Sequence, residues 1–353
     1  MAGERKKNVS IKDIAKEAGV SPSLVSFVLN GKQKQYRVSD QMAEKIREVA
    51  KRMDYKPNGF AKSLRDGTSH TIGVIVSDIS NPFSANMVKN IETTAEEFGY
   101  MALFASSDEK ASKLADLTRK MLLKEVDGII LVPCEDSASV VKMLVEKGIP
   151  LVLLDRYIPE IRTNYVCLNN RKAAFDSTWY LLKKGYKRIC MVSYDLELSN
   201  MQDRVAGYKE AMTKAGFKNE ISIQYVDLMS LEKSCGKAVS NIKESDSDAI
   251  IFATNSIAVQ CLKHICDLGI RIPEDLGVIC FDGGSEFNFF YAPLTYVSQP
   301  IERMARKSVE ILLELIESND AFTLQVEAEG SLVEQSSTKY FFLKSVNNTS
   351  LKF

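Results

Sequence analysis

Charged and amide side chains follow several apolar runs of this sequence, at points where strands are predicted to end. The residues are Asp78, Asp155, Arg156, Thr254, Asn255 and Asp282. Because ligands of open α/β sheets bind beyond the carboxyl ends of the strands, this pattern predicts a small-molecule cleft. Carboxylate, amide and guanidinium groups can bind sugar hydroxyls through paired hydrogen bonds. An Asp at a strand end is often only a helix cap, and that alternative stays open at each position.

The motifs of common catalytic sites do not occur in the sequence. There is no GxGxxG after the first predicted strand, no GxxxxGK[ST] and no GxSxG. His70 and His264 have no evident nucleophile or metal-ligand companion, and the 7 cysteines are scattered without CxxC spacing. We therefore expect no enzyme activity, no metal and no cofactor, with a cytoplasmic enzyme on a doubly wound fold as the alternative.

Apolar runs alternate with amphipathic helical segments from residue 71 onward. The predicted strands are 72–76, 101–105, 128–132, 151–154, 188–192, 249–253 and 278–281. This alternation predicts parallel sheets with helices on both faces.

The first 55 residues predict three short helices. Ser10 and Asp13 form a capping-box pattern, Gly19 ends the first helix, and Ser21 followed by Pro22 begins the second. Two helices joined by a glycine turn are typical of a helix-turn-helix, although small three-helix bundles also serve as protein-binding modules.

Charge is unevenly distributed along the chain. Residues 1–65 hold 15 Lys and Arg against 7 Asp and Glu, a balance of +8, which leaves 31 against 39, or -8, for the remainder. The basic head favours a polyanionic partner. The sequence has neither the apolar core of a signal peptide nor a run of ~18 apolar residues, so we expect a cytoplasmic protein without a membrane partner.

A short segment joins this head to the body. Pro57 stops a preceding helix, Asn58 can cap a new one and Gly67 can end it. A helix below ~12 residues is marginal in water, so another part of the molecule or a ligand must order it.

Three segments of the sequence carry a resemblance to a known family. They are SIKDIAKEAGVSPSLVSFVLNG, YKPNGFAKSLRDG and TIGVIVSDISNPF. On these motifs the chain resembles the lactose/galactose-repressor (LacI/GalR) family of transcription regulators, and the resemblance continues through VDGIILVP, PLVLLDR, DRVAGY, GIRIPEDLGVICFD and LTYVSQP. It implies an all-α helix-turn-helix head, a hinge helix and a two-lobed α/β body like that of periplasmic binding proteins.

The resemblance also implies where the domains begin and end. We expect a DNA-binding domain at 1–55, a hinge at 56–70, an effector-binding and dimerisation domain at 71–340 and a tail at 341–353. The first lobe would comprise about 71–164 and 298–325, and the second about 165–297 and 326–340.

DNA contacts follow from the same resemblance. Base contacts would come from Pro22, Ser23 and Phe27, of which only Ser23 can hydrogen-bond, while Phe27 offers apolar contact to a thymine methyl. Ser21, Ser26 and Asn30 would contact phosphates or cap helices. Leu64 would enter the minor groove. Lys12, Lys62 and Arg65 complete the expected set.

Effector contacts are implied for a second set of residues. These are Asp78, Phe83, Arg156, Arg204, Thr254, Asn255, Asp282 and Gln299. The resemblance thus implies a homodimeric regulator, most simply a repressor, that binds a near-palindromic operator under control of a carbohydrate-like effector. A purine-responsive regulator and a sugar-binding protein of the same fold are the alternatives.

Overall fold

The computed structural model describes residues 9–55, 68–318 and 322–339. The chain forms two compact units, one up to Ser69 and one from His70 onward. The predicted hinge contacts Lys62, Leu64 and Arg65 and the predicted tail at 341–353 lie outside the described residues.

The first unit contains the three expected helices. They are α1 (Ile11–Ala18), α2 (Pro22–Leu29) and α3 (Asp40–Arg52). The Ser10 hydroxyl accepts from the Asp13 amide, and the Asp13 carboxylate accepts from the Ser10 amide at 2.8 Å, so the predicted capping box is present. Gly19 closes α1 in the left-handed conformation with φ 70°. Ile14, Val25 and Ile46 are fully buried and join one helix each to a common core.

The second unit holds two six-stranded sheets. The first has the order β11-β5-β4-β3-β1-β2, with every neighbouring pair parallel. Its strands are β1 (Thr71–Val76), β2 (Met101–Ser106), β3 (Gly128–Leu131), β4 (Leu151–Leu154), β5 (Asn164–Leu168) and β11 (Gln325–Ala328). The central strands β1, β3 and β4 are buried throughout, as continuous apolar runs in a helix-covered parallel sheet should be.

The second sheet has the order β12-β10-β9-β8-β6-β7, and only β12 runs antiparallel to its neighbour. Its strands are β6 (Ile189–Tyr194), β7 (Ser222–Val226), β8 (Ala249–Phe252), β9 (Gly277–Phe281), β10 (Thr295–Ser298) and β12 (Ser331–Val333). This topology confirms the expected fold class of a two-lobed body with parallel sheets.

Helices cover both sheets. They are α4 (Pro82–Glu97), α5 (Ala111–Leu123), α6 (Ala138–Glu146), α7 (Asn170–Lys184), α8 (Ser199–Lys214), α9 (Leu231–Glu244), α10 (Asn255–Asp267) and α11 (Ile301–Glu317). Helix α4 begins where Asn81 caps it and Pro82 occupies its first turn. In the first lobe, α11 packs against α4 and places Met304, Val309 and Leu312 in one core with the inner face of α4.

The chain crosses between the sheets three times, after β5, after β10 and after β11. The borders between the lobes lie a few residues away from the expected ones. Residues 165–168 and 326–328, expected in the second lobe, pair within the first sheet, and Ser298, expected in the first lobe, pairs within the second. Strand β5 escapes the sequence pattern because its five residues, NYVCL, begin with polar groups and continue directly from a loop.

Candidate functional site

The first turn of α2 is an exposed, capped helix end. The Ser21 hydroxyl accepts a hydrogen bond from the Leu24 amide at 3.2 Å, so this side chain caps the helix. Ser23 is exposed, and its hydroxyl makes no hydrogen bond among the described residues. Lys12 on α1 is also exposed. The end of α2 is fixed by Asn30, whose amide donates to the Ser26 carbonyl at 2.6 Å and to the Ser26 hydroxyl at 3.2 Å.

Phe27 has a partner that the sequence pattern did not indicate. Its ring stacks on that of Tyr36, with 3.7 Å between the ring centroids and 5° between the planes. Phe27 is half-buried, while Tyr36 is 47% exposed.

A cavity of about 110 Å³ lies in the second unit between the two lobes. It is lined by all of the expected effector residues except Gln299, namely Asp78, Phe83, Arg156, Arg204, Thr254, Asn255 and Asp282. Gln299 lines an adjoining cavity of about 110 Å³ together with Phe83, Asn255 and Asp282. The polar residues that follow separate strands therefore meet at one place, as expected for the carboxyl ends of parallel strands.

Arg204 is the most deeply buried charge of the cavity, with 1% of its surface exposed. Its Nε donates to Asn170 Oδ1 at 2.8 Å, and one terminal nitrogen donates to the Ala253 carbonyl. The same nitrogen lies 3.9 Å from Asp282 Oδ2, and the guanidinium carbon lies 4.2 Å from the centroid of the Phe281 ring. These contacts hold the guanidinium in one orientation at the wall of the cavity.

Asp282 follows β9 with a left-handed φ of 63°. Burial raises the pKa of its carboxyl above the ordinary value, although Arg204 and the hydrogen bond from Gln299 act in the opposite direction. Gln299 Nε2 donates to Asp282 Oδ1 at 2.5 Å, whereas Gln299 Oε1 is buried without a hydrogen bond among the described residues. An acceptor in this state can be satisfied by a ligand that donates a hydrogen bond.

Arg156 is paired with a carboxylate of the same lobe. Its terminal nitrogens donate to both oxygens of Glu109, at 2.8 and 2.6 Å, and to the Pro133 carbonyl at 2.9 Å. Burial by itself would lower the pKa of Arg156, but the Glu109 carboxylate and its hydrogen bonds raise it above the usual value. Glu109 lies 47 positions away in the sequence, so this ion pair became visible only in the fold.

Three of the expected effector residues also have structural roles. The Thr254 hydroxyl caps α10 by accepting from the Ile257 amide at 3.3 Å, which is the helix-cap role left open for such positions. Asp78 Oδ1 accepts from the amide and the hydroxyl of Ser80, which closes a local turn. Asn255 contacts the opposite lobe.

Direct hydrogen bonds bridge the lobes at one side of the cavity. The amide nitrogen of Asn81 donates to Asn255 Oδ1 at 3.3 Å and to the Ser256 hydroxyl at 3.1 Å, and Asn255 Nδ2 donates back to Asn81 at 3.4 Å. We call this set the Asn81 bridge. Asn81 also caps α4, because its side-chain oxygen accepts a hydrogen bond from the Phe83 amide at 2.9 Å.

A second set of bridges involves the loop after β4 and the start of α8. Tyr157 donates through its hydroxyl to Asp203 at 3.0 Å and through its amide to Ser199 at 2.9 Å. Asn200 donates to Asp155 at 3.2 Å. Burial is the main cause that raises the pKa values of Asp155 and Asp203. The cavity is thus enclosed by side chains of both lobes.

The histidines have structural surroundings. His264 Nε2 lies 3.0 Å from the Glu232 carbonyl, and His70 packs against the ring of Tyr100. Within residues 9–55, 68–318 and 322–339, no group of three or more His, Cys, Asp and Glu side chains is placed to hold a metal ion. In the same part of the chain, no helix combines the length and the apolar character that a membrane span requires.

Models of known protein families match part of each compact unit. Residues 10–58 match the family model of bacterial regulatory proteins of the lacI family, and residues 178–338 match a periplasmic binding protein-like domain. The transcriptional repressor PurR of Aliivibrio fischeri is 30% identical over 334 residues, which cover 93% of this chain and 98% of that protein. The ribose operon repressor of Halalkalibacterium halodurans is 30% identical over 330 residues, covering 94% and 97%.

Solved structures agree on the fold. A lac repressor dimer bound to operator and the anti-inducer ONPF superposes with a TM-score of 0.83 at 22% identity, covering 94% of this chain and 100% of that one. The relatives are regulators of transcription and not enzymes.

Proposed function

The chain belongs to the LacI family of bacterial regulatory proteins, and from this premise we propose that it represses transcription as a homodimer, under control of a carbohydrate-like effector bound between its lobes. The observation that carries the proposal is that residues from separate strand ends of both lobes meet at one enclosed polar cavity. We place this activity in the cytoplasm, where operator DNA lies.

In this proposal residues 1–55 bind DNA, 56–70 form the hinge and the body from residue 71 onward senses the effector. The head presents the exposed first turn of α2, and residues 1–65 carry a balance of +8. Cationic side chains neutralise phosphates and give a salt-dependent affinity, while α2 side chains such as Ser23 and Phe27 meet base edges.

The charge of the cavity favours an uncharged effector. Four carboxyl groups line it, those of Asp78, Glu109, Asp155 and Asp282, against two guanidinium groups. Both guanidinium groups already have protein partners, Arg156 in Glu109 and Arg204 in Asn170 and the Ala253 carbonyl. A phosphate would approach four carboxyl groups and meet only guanidinium groups that already donate to protein acceptors, whereas sugar hydroxyls can donate to these carboxylates.

Two titrations test the two halves of the proposal. In a thermal-shift screen of neutral sugars, their phosphates and nucleobases, we expect a neutral sugar to raise Tm in a concentration-dependent way and its phosphate to raise it less. Stabilisation by a nucleobase alone would favour the purine-responsive alternative.

DNA binding is measured with the full chain on duplexes selected from a randomised library. Affinity for the selected duplex should fall steeply between about 50 and 200 mM salt, because bound cationic side chains release counterions. An affinity that stays constant over this range, or a failure to enrich any sequence, would contradict a DNA-binding head.

A further inference from the structure

The loop between α2 and α3 supplies an aromatic ring to α2. The rings of Tyr36 and Phe27 are nearly parallel, 5° apart, with 3.7 Å between their centroids. Tyr36 is 47% exposed, so the pair lies at the surface of the head and not in its core. Two stacked rings at a surface leave apolar area in contact with water unless a partner covers it.

Backbone hydrogen bonds hold this loop against the end of α2. The Lys32 amide donates to the Phe27 carbonyl at 2.8 Å, and the Tyr36 amide donates to the Lys32 carbonyl at 3.2 Å. The Val38 amide donates to the Gln33 carbonyl at 2.9 Å. The chain therefore folds back on Phe27 over a defined turn, which brings Tyr36 to the ring without long-range contacts.

The chemistry of the loop indicates what covers the pair. Lys32, Lys34 and Arg37 are exposed around Tyr36, and the Tyr36 hydroxyl makes no hydrogen bond within the described residues. Exposed cations around the exposed Tyr36 and the half-buried Phe27 match a phosphate backbone with base edges beside it. Ser23 lies four positions before Phe27 and therefore on the same face of α2.

We propose that Tyr36 is a positioning residue for DNA reading, which holds the Phe27 ring in the one orientation that contacts a thymine methyl group of the operator. This inference rests on the proposed DNA-binding function. Phe27 has no hydrogen-bonding group, so its selectivity depends on shape, and a ring that is free to change rotamer cannot discriminate one methyl group. The stack with Tyr36 restricts that freedom, and the Tyr36 hydroxyl is available for a phosphate oxygen.

The test replaces thymine by uracil, which removes only the C5 methyl group. A duplex selected by the full chain is synthesised with single thymine-to-uracil changes, and Kd is measured for each. Wild-type protein should lose about 2- to 10-fold in affinity at one position of each half-site. Tyr36→Ala and Phe27→Ala should each abolish this ratio, and the double variant should behave like either single one. Tyr36→Phe should preserve it, because the flat face remains.

Two controls separate positioning from folding. Gln35→Ala changes the adjacent exposed residue and should leave the thymine-to-uracil ratio unchanged. Tyr36→Leu keeps apolar bulk but has no flat ring. It should therefore abolish the thymine-to-uracil ratio of Kd values without the loss of head stability that Tyr36→Ala can cause. Hydrogen exchange of the Val25 and Val28 amides reports whether the helix core is intact in each variant.

The outcomes distinguish this inference from its premise. If the wild-type chain enriches no sequence, the proposed function itself is wrong. If it enriches one but no thymine is sensitive to demethylation, or Tyr36→Ala and Tyr36→Leu retain the wild-type ratio, the role of Tyr36 is overturned while DNA binding stands.

Discussion

Arg204 is a buried cation of the second lobe. Its removal would leave the Asp282 carboxylate without a cationic partner in a low-dielectric interior. Arg204 lies 3.9 Å from Asp282, with 1% and 9% of the two side chains exposed. Removing one partner of a buried pair typically costs about 3–5 kcal/mol, so Arg204→Ala should lower the free energy of unfolding by that amount. Urea unfolding followed by the fluorescence of Trp179, the single tryptophan, measures it in this lobe.

Arg171→Ala is the matched control for that change. Arg171 pairs with Glu210 at 2.8 Å, but 62% and 48% of these side chains are exposed, so the loss should stay below about 1 kcal/mol. Equal effects of the two substitutions would show that the surroundings of Arg204 are not a buried charge network.

Asp282 should give the stability a recognisable dependence on pH. Burial raises the pKa of this carboxyl above 3.8, so the folded chain binds its proton more tightly than the unfolded chain does. The stability that protonation of Asp282 contributes is fully present below pH 3.8, and it is lost as the pH rises through the raised pKa of the folded chain. Asn does not titrate. The free energy of unfolding of Asp282→Asn, relative to wild type, should therefore be highest near neutral pH and decrease on acidification.

Urea unfolding at several pH values between 4 and 7 measures this difference. The other carboxyl groups are common to both proteins, so they cancel to the extent that they do not interact with Asp282; Asp155 and Arg204 are the charged neighbours to consider. A difference that grows in the variant's favour as pH falls would place the pKa of Asp282 below its ordinary value.

The sequence predicted which residues line the cavity better than it predicted their hydrogen-bond and ion-pair partners. The position of Asp78, Arg156 and Asp282 after predicted strands was sufficient to predict that they lie close together, because parallel strands bring their carboxyl ends to one edge, and all three line one cavity. The pairing of Arg156 with Glu109 depends on which loops become neighbours, and no local pattern encodes it. Positions such as Arg204 and Gln299 came from resemblance to a family and not from local chemistry.

Helices α7 and α8 approach each other at a glycine. A Cβ atom added at Gly207 would lie 2.0 Å from the Arg171 carbonyl oxygen and 3.0 Å from the Phe175 amide nitrogen, both backbone atoms. Gly207→Ala must therefore push the helices apart, and because Arg204 lies one turn earlier on α8, its guanidinium should move from the cavity. We expect a loss of stability above the 1–3 kcal/mol typical of overpacking, together with weaker effector binding.

Gly236→Ala on α9 is the comparison for this prediction. There the nearest atoms, at 3.1 to 3.4 Å, belong to the side chain of His264, which can move. Helix propensity favours alanine by about 1 kcal/mol, which offsets the cost of moving the His264 side chain. The free energy of unfolding should therefore stay close to that of the wild type. Thermal unfolding and calorimetric titration with the effector identified in the screen compare the variants, and a neutral Gly207→Ala would contradict the close approach.

Element prediction succeeded for strands that are continuous apolar runs and failed for strands with polar or exposed positions. All seven predicted strands are present; six are buried apolar runs, and the edge strand β2 is apolar over most of its length. The five that were missed include the edge strands β7, β11 and β12, which have exposed positions and weaker apolar patterns. The three head helices were predictable from their caps together with the helical spacing of their apolar residues, and the hydroxyls of Ser10, Ser21 and Ser39 each accept from the first turn that follows.

In the second compact unit, the Asn81 bridge ties the lobes together without a ligand. Asn81→Ser keeps a side chain that can cap α4 but removes the amide that reaches Asn255 and Ser256. Each lost hydrogen bond is worth about 0.5–1.5 kcal/mol, so the balance between closed and open lobes should move toward open. Small-angle scattering of the effector-free protein should show a larger radius of gyration.

Asn90→Ser is the control on the same helix, because the Asn90 amide donates to the Asn86 carbonyl within α4. It should leave the radius of gyration unchanged. Identical scattering from Asn81→Ser and wild type would mean that the remaining bridges, such as Tyr157 with Asp203, are sufficient to keep the lobes closed.

The three crossings between the sheets determine the order in which the protein can be completed during synthesis. The head is a compact unit that needs only the first residues of the chain, whereas the first sheet is unfinished until β11 and the second until β12 at Ser331–Val333. At about 5–20 residues per second, the head leaves the ribosome roughly a quarter of a minute to a minute before either sheet can close. A nascent chain therefore has a folded helical head before the cavity between its lobes exists, and during that interval no ligand can occupy the cavity.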